Sequence, residues 1–186
     1  MILFVNGCPR EYSRTLDLAK ALLERLEGDI QEVRLYPNGP QGLTAEKLCM
    51  RDTLLASGQY EHPMFRWANQ FAQAETIVIA APYWDLLFPA KVRAYLEEIT
   101  VAGITFQYNT DGIPQGLCRA SRLIYVTTAG GPIVEDFGFA YVEALARTFY
   151  GIKKVCQLKA EGLDIWGADP AAILEKSKKA IPDSIN

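Results

Sequence analysis

Four short apolar runs constrain this chain more than any other feature: Ile2–Val5, Thr76–Ala80, Leu123–Val126 and Ile152–Leu158. Each is continuous rather than alternating, and each stops near Asn, Pro, Gly or Thr. A strand that is apolar on both faces has to be covered on both faces, which is the condition of a parallel sheet between two helix layers. A fifth run, Ile30–Leu35, alternates in character and reads as a strand at the sheet edge.

The segments between the runs carry helical spacing. Leu16, Ala19, Leu22, Leu23 and Leu26 form one apolar stripe that stops at Gly28. Phe65, Trp67, Ala68, Phe71 and Ala72 mark a second helix. Pro89 stands where a first-turn proline belongs, ahead of Val92, Tyr95, Leu96 and Ile99. Phe137 to Phe149 predicts a helix ending at Gly151, and Asp169-Pro170 opens a last one to about Lys179. The alternation predicts an α/β fold: a doubly wound, five-stranded parallel sheet in the order 2-1-3-4-5 with helices on both faces. Two segments interrupt it as insertions. One spans residues 37–60, with a helix expected from Thr44. The other spans 103–119, with Asp111-Gly112 at a hairpin-like centre. The reading is one domain over 1–181 and a loose tail over 182–186.

Composition narrows the function classes. With 186 residues the chain suits a single core, and 49% hydrophobic against 22% charged residues argues for a folded domain rather than a disordered one. The net charge of −3 offers no electrostatic case for nucleic acid or an anionic membrane. Cys8, Cys49, Cys118 and Cys156 form no CxxC pair, and His62 is the only histidine, so no metal site is expected and His62 is taken as a surface residue. The apolar start ends at Asn6, too soon for a signal peptide, and no run approaches the ~20 residues of a membrane span. The expected compartment is the cytoplasm.

A doubly wound sheet binds ligands outside the carboxyl ends of its strands. The loop after the first strand, Asn6 to Thr15, is neither GxGxxG nor a P-loop. It offers Ser13 and Thr15 at a helix start, with Arg10 and Arg14 to neutralise a monophosphate. Ser13 reads equally well as a simple helix cap. The loop after the third strand, Ala81 to Pro89, crowds Tyr83 and Trp84 between prolines, a wall for a planar ring or else a core or subunit contact. The loop after the fourth, Thr127-Thr128-Ala129-Gly130-Gly131, lets backbone N–H groups approach a ligand, or is a tight turn.

Taken with Pro89-Ala90-Lys91-Val92-Arg93-Ala94-Tyr95 and the stretch Gly103-Ile104-Thr105-Phe106-Gln107-Tyr108, these loops resemble the flavodoxin-like FMN-dependent NAD(P)H quinone reductase and azoreductase family over most of the chain. The resemblance implies a flavodoxin-like fold and FMN as cofactor, with NADH or NADPH as reductant. It implies that Arg10, Ser13, Arg14 and Thr15 hold the phosphate. Pro82, Tyr83, Trp84 and Asp85 would line the ring edge, and Thr128, Gly130 and Gly131 its pyrimidine end. Trp84 and Phe106 would form walls of the substrate pocket. No side-chain acid or base is required, because the hydride chemistry belongs to the cofactor. A quinone, azo compound or other flat acceptor would replace the nicotinamide in one pocket, giving ping-pong kinetics in a homodimer. Asp85 departs from the Asn that azoreductases often carry there. Two rivals stand beside the reductase: a regulatory subunit ancillary to an ion-efflux membrane protein, and a flavodoxin electron carrier.

Overall fold

The computed structural model describes residues 1–182, so the tail expected after Pro182 lies outside the described residues. The chain runs β1 (Ile2–Asn6), α1 (Arg14–Leu23), β2 (Ile30–Arg34), α2 (Ala45–Ala56), α3 (Arg66–Gln73), β3 (Thr76–Ala80) and α4 (Ala90–Ile99). It continues through β4 (Phe106–Tyr108), β5 (Pro114–Gly116), β6 (Arg122–Thr128), α5 (Phe137–Leu145), β7 (Lys154–Ala160) and α6 (Pro170–Lys179). Five strands pair in parallel in the order β2-β1-β3-β6-β7. That is the expected 2-1-3-4-5 order, with the two strands of the second insertion counted in between.

Three of the apolar runs, in β1, β3 and β6, are buried on both sides because successive side chains serve two cores; the fourth, expected to be buried likewise, falls in β7, which lies at the sheet edge and buries only Ala160. Leu3, Val5, Ile77, Ile79, Leu123 and Tyr125 pack against residues of α3, α4 and α5. Ile2, Phe4, Val78, Ala80, Ile124 and Val126 pack against α1 and α6. In β2 only Val33 is buried, as an edge strand requires.

The boundaries differ from expectation where helix ends decide them. Helix α1 stops at Leu23, yet Leu26 still packs into the core from the following turn. Pro89 stands one place before α4 as its cap rather than within its first turn. The segment after α5 continues as a π-helical turn over Ala146–Tyr150 and ends at Gly151 in the left-handed region, φ 76°. Ile152, whose N–H bonds to Ala146 O, therefore plugs the helix end, and β7 begins only at Lys154. The first insertion contains α2, capped by Thr44.

The second insertion is an antiparallel β4–β5 hairpin at the end of the sheet where strands begin. Arg119 N–H bonds Ala72 O and Ser121 N–H bonds Glu75 O there. Phe106 lies edge-on to Phe149, with ring centroids 4.9 Å apart. His62 is half-buried rather than a surface residue, because its Nδ1 accepts the Met64 N–H (3.2 Å) and caps a short 3-10 turn at Pro63–Phe65. Among the described residues no helix is long and apolar enough to cross a membrane.

Candidate functional site

Winding reverses between β1 and β3, so the loops after these strands diverge and leave a cleft at the carboxyl end of the sheet. A cavity of about 370 Å³ opens there, within the size range of small-molecule sites. The loop after β1 supplies Pro9, Arg10, Tyr12, Ser13, Arg14 and Thr15 to its lining. The loop after β3 supplies Pro82, Tyr83 and Trp84, and β6 with its loop supplies Thr128, Ala129 and Gly130.

Each loop is shaped by bonds its own sequence provides. Asn6 Oδ1 accepts the Cys8 N–H (3.0 Å) and turns the chain away from β1. Ser13 is the N-cap of α1, its Oγ accepting the Leu16 N–H at 3.3 Å. Capping uses the oxygen's lone pair and leaves the hydroxyl proton free to donate, so the cap and the anion-binding readings are compatible. Thr15 and Thr128, both buried, share a hydrogen bond between hydroxyls at 2.6 Å. Two hydroxyls carry two protons; one is spent between them, and the other remains to be aimed into the cavity. Arg10 and Arg14 put two positive charges beside the α1 N-terminus, where unpaired N–H groups and the helix dipole also favour an anion.

The aromatic loop is held more tightly than its sequence suggests. Tyr83 N–H bonds Thr128 O (3.0 Å), which ties the loops after β3 and β6 together. Trp84 and Leu87 exchange backbone bonds at 3.0 and 2.8 Å around Asp85 (φ 49°) and Leu86 (φ 68°). Two positive φ values in succession make a type I′ turn, which non-glycine residues enter only under strain. The Leu86 carbonyl takes the Phe137 N–H, and the Tyr83 hydroxyl donates to Glu135 O, so α5 and its approach hold the strained turn. Trp84 is thereby kept 41% exposed at the cavity wall.

Three expected residues do not line this cavity. Asp85 is exposed at the tip of the I′ turn. Gly131 is exposed beyond the rim, with open space around it. Phe106 is buried in the hairpin at the opposite end of the sheet. Conversely, sequence reading passed over the loop after β7. Leu163 and Asp164 close one side of the cavity, and Arg14 Nη1 bonds Asp164 Oδ1 at 2.7 Å. The signal was available: the carboxyl end of the last strand faces the same way as the others, so Glu161 to Asp164 had to lie beside the Gly130 loop. Burial pushes the neighbouring Cys8 thiol up to about 11, which keeps it protonated near neutral pH and unsuited to be a nucleophile. Among the described residues no cluster of three His, Cys, Asp or Glu side chains can hold a metal ion.

The donor set fits a flat ligand with a phosphate tail. One end of the cavity carries two arginines, a helix start and hydroxyl protons, and the other an aromatic wall facing a backbone turn. The chain is similar to the "FMN-dependent NADH:quinone oxidoreductase 2" of Clostridium acetobutylicum, with 33% identity covering 94% of this chain and 93% of that protein. It is 32% identical to an FMN-dependent NADH:quinone oxidoreductase of Coprothermobacter proteolyticus, covering 90% and 89%. Among solved structures, an azoreductase from Bacillus anthracis superposes with a TM-score of 0.81 at 22% identity, covering 97% of this chain and 95% of that one. A B. anthracis FMN-dependent NADH-azoreductase in complex with FMN gives a TM-score of 0.80 at 21% identity, covering 97% and 94%. A family model described as "flavodoxin-like fold" matches residues 1–184, and the chain belongs to that family.

Proposed function

We propose that the chain is an FMN-dependent reductase that takes electrons from NADH and passes them to quinones, azo compounds or similar flat acceptors. The cavity at the carboxyl end of the sheet is its flavin site. The observation that carries this reading is the convergence on one cleft of Arg10, Ser13, Arg14 and Thr15 with Pro82, Tyr83, Trp84, Thr128 and Gly130. The curated relatives at 32–33% identity, named for the same activity, support it.

Bound FMN would supply the hydride and two-electron chemistry that links a reduced nicotinamide to the acceptor. The chain's residues bind, orient and enclose. Ser13, the Thr15–Thr128 hydroxyl pair and the α1 N-terminus hold the phosphate, with Arg10 and Arg14 balancing its charge. Pro82, Tyr83 and Trp84 offer a rigid apolar wall, and the strained turn at Asp85-Leu86 keeps that wall in place. The Gly130 turn, with Asp164 over it, would border the bound cofactor on the side of Arg14. One open face serves nicotinamide and acceptor in turn, which yields ping-pong kinetics. The reading takes residues 1–181 as one binding domain. It also includes a second copy of the chain over the cavity mouth, in keeping with the exposed Trp84, Leu86 and Trp166, and a cytoplasmic setting, in keeping with four free thiols.

The test is spectroscopic. The purified protein is loaded with FMN, and its visible flavin band is followed without oxygen. NADH should bleach the band, and a quinone should restore it. A flavin that binds but resists NADH would leave an electron carrier. A protein that takes up no FMN would favour the partner-binding regulator.

A further inference from the structure

Among the described residues, Asp164 is the one carboxylate in the cavity lining. Its Oδ1 takes Arg14 Nη1 at 2.7 Å. Its backbone is fixed, because Asp164 N–H bonds Gly130 O (2.8 Å), Leu163 N–H bonds Ala129 O (3.2 Å) and Gly162 N–H bonds Gly131 O (3.0 Å). The carboxylate is therefore aimed over Gly130, so closely that a Cβ on Gly130 would lie 3.1 Å from Asp164 Cγ.

Charge arithmetic gives this placement a consequence. Arg10 and Arg14 contribute +2 to the lining and Asp164 −1, leaving +1. A phosphate monoester carries nearly −2 at neutral pH. Arg14 cannot give its best geometry to both anions, and the two anions repel each other across one cavity. The pair is half exposed, with side-chain accessibilities of 44% and 66%, so it is weak enough to open.

We propose that Asp164 is a chain-borne competitor for the cofactor's phosphate: it occupies Arg14 when no phosphate is bound and gives it up when one enters. This deepens the flavin-site reading and rests on it. Asp164 thereby sets the specificity of the phosphate end. A bare anion has to displace a carboxylate, and only a ligand that also gains the ring contacts of Tyr83 and Trp84 does so readily.

The experiment compares wild type with Asp164→Asn, which keeps the backbone bonds, and Asp164→Ala as a second variant. FMN and riboflavin affinities of the apoprotein are read by flavin fluorescence at low salt. Asp164→Asn should bind FMN on the order of fivefold more tightly, with riboflavin, which lacks the phosphate, unchanged. Adding Arg14→Gln should abolish the gain. Inorganic phosphate should raise the melting temperature of either variant more than that of wild type, whether or not flavin binds. FMN binding that is unchanged or weaker in the variants, an equal gain for riboflavin, or an unaltered response to inorganic phosphate would each overturn the proposal. Failure of wild type to bind FMN at all would instead refute the flavin-site reading, and the phosphate measurement would then decide the role of Asp164 by itself.

Discussion

The Thr15–Thr128 hydroxyl pair makes opposite demands on stability and on binding, and valine, which has the shape of threonine without its hydroxyl, separates them. Thr15 is 1% and Thr128 8% exposed, and their oxygens are 2.6 Å apart. Replacing either one orphans the other hydroxyl, a loss worth about 1–3 kcal/mol in a buried setting. Both border the cavity, so the orphan can turn toward water, which places each single variant near about 1–1.5 kcal/mol. For a chain of this length that lowers the melting temperature by roughly 2–6 °C. The double variant leaves no orphan and should be no less stable than either single one, giving a coupling of about 1–2 kcal/mol in the cycle. Binding should follow the reverse order. With one threonine left, its proton is no longer spent within the pair and still points into the cavity, so FMN affinity should barely change. With both gone, a hydrogen bond to a charged phosphate disappears, a loss of about 1.5–3 kcal/mol or roughly ten- to a hundredfold in Kd. Urea unfolding of the four apoproteins and fluorescence titration with FMN supply both cycles. Single variants as stable as wild type, or a double variant with undiminished affinity, would refute the shared-proton argument.

Packing makes three other substitutions informative. Gly130→Ala drives a Cβ against the Asp164 carboxylate, the exposed end of a side chain that can swing aside, and should loosen the Arg14–Asp164 pair at a cost below about 1 kcal/mol. Gly131→Ala meets open space and should leave stability unchanged or raise it by about 0.4–1 kcal/mol; equal melting temperatures for the pair would contradict the geometry. Tyr95 is fully buried, and its hydroxyl has no hydrogen-bond partner among the described residues. Tyr95→Phe should therefore stabilise the fold or leave it unchanged in urea unfolding, whereas a loss above about 1 kcal/mol would mean that the hydroxyl is bonded after all.

The sheet was legible in the order of residues alone. Runs such as Ile77–Ala80, apolar at every position, have no stable use except between two layers, and the spacing of Leu16, Ala19, Leu22 and Leu23 admits only a helix with one buried face. The order of the strands was read from their number, since five strands alternating with helices suit the flavodoxin-like order 2-1-3-4-5 better than a six-strand Rossmann sheet. The residue types of the loop after β1 were legible for the same local reason, since a cap and a helix start are written within a few positions.

Which side chains share the cavity was settled by the packing of distant segments. Arg14 and Asp164 are 150 residues apart, and Thr15 and Thr128 are 113 apart; no local pattern encodes such pairs. The same holds for Phe106. The sequence marks it as part of a distinctive hairpin, but that hairpin folds beneath the sheet against Phe149, away from the cavity. Local propensity acts over a few residues, whereas a binding site is assembled by chain crossings whose ends meet only after both cores have packed.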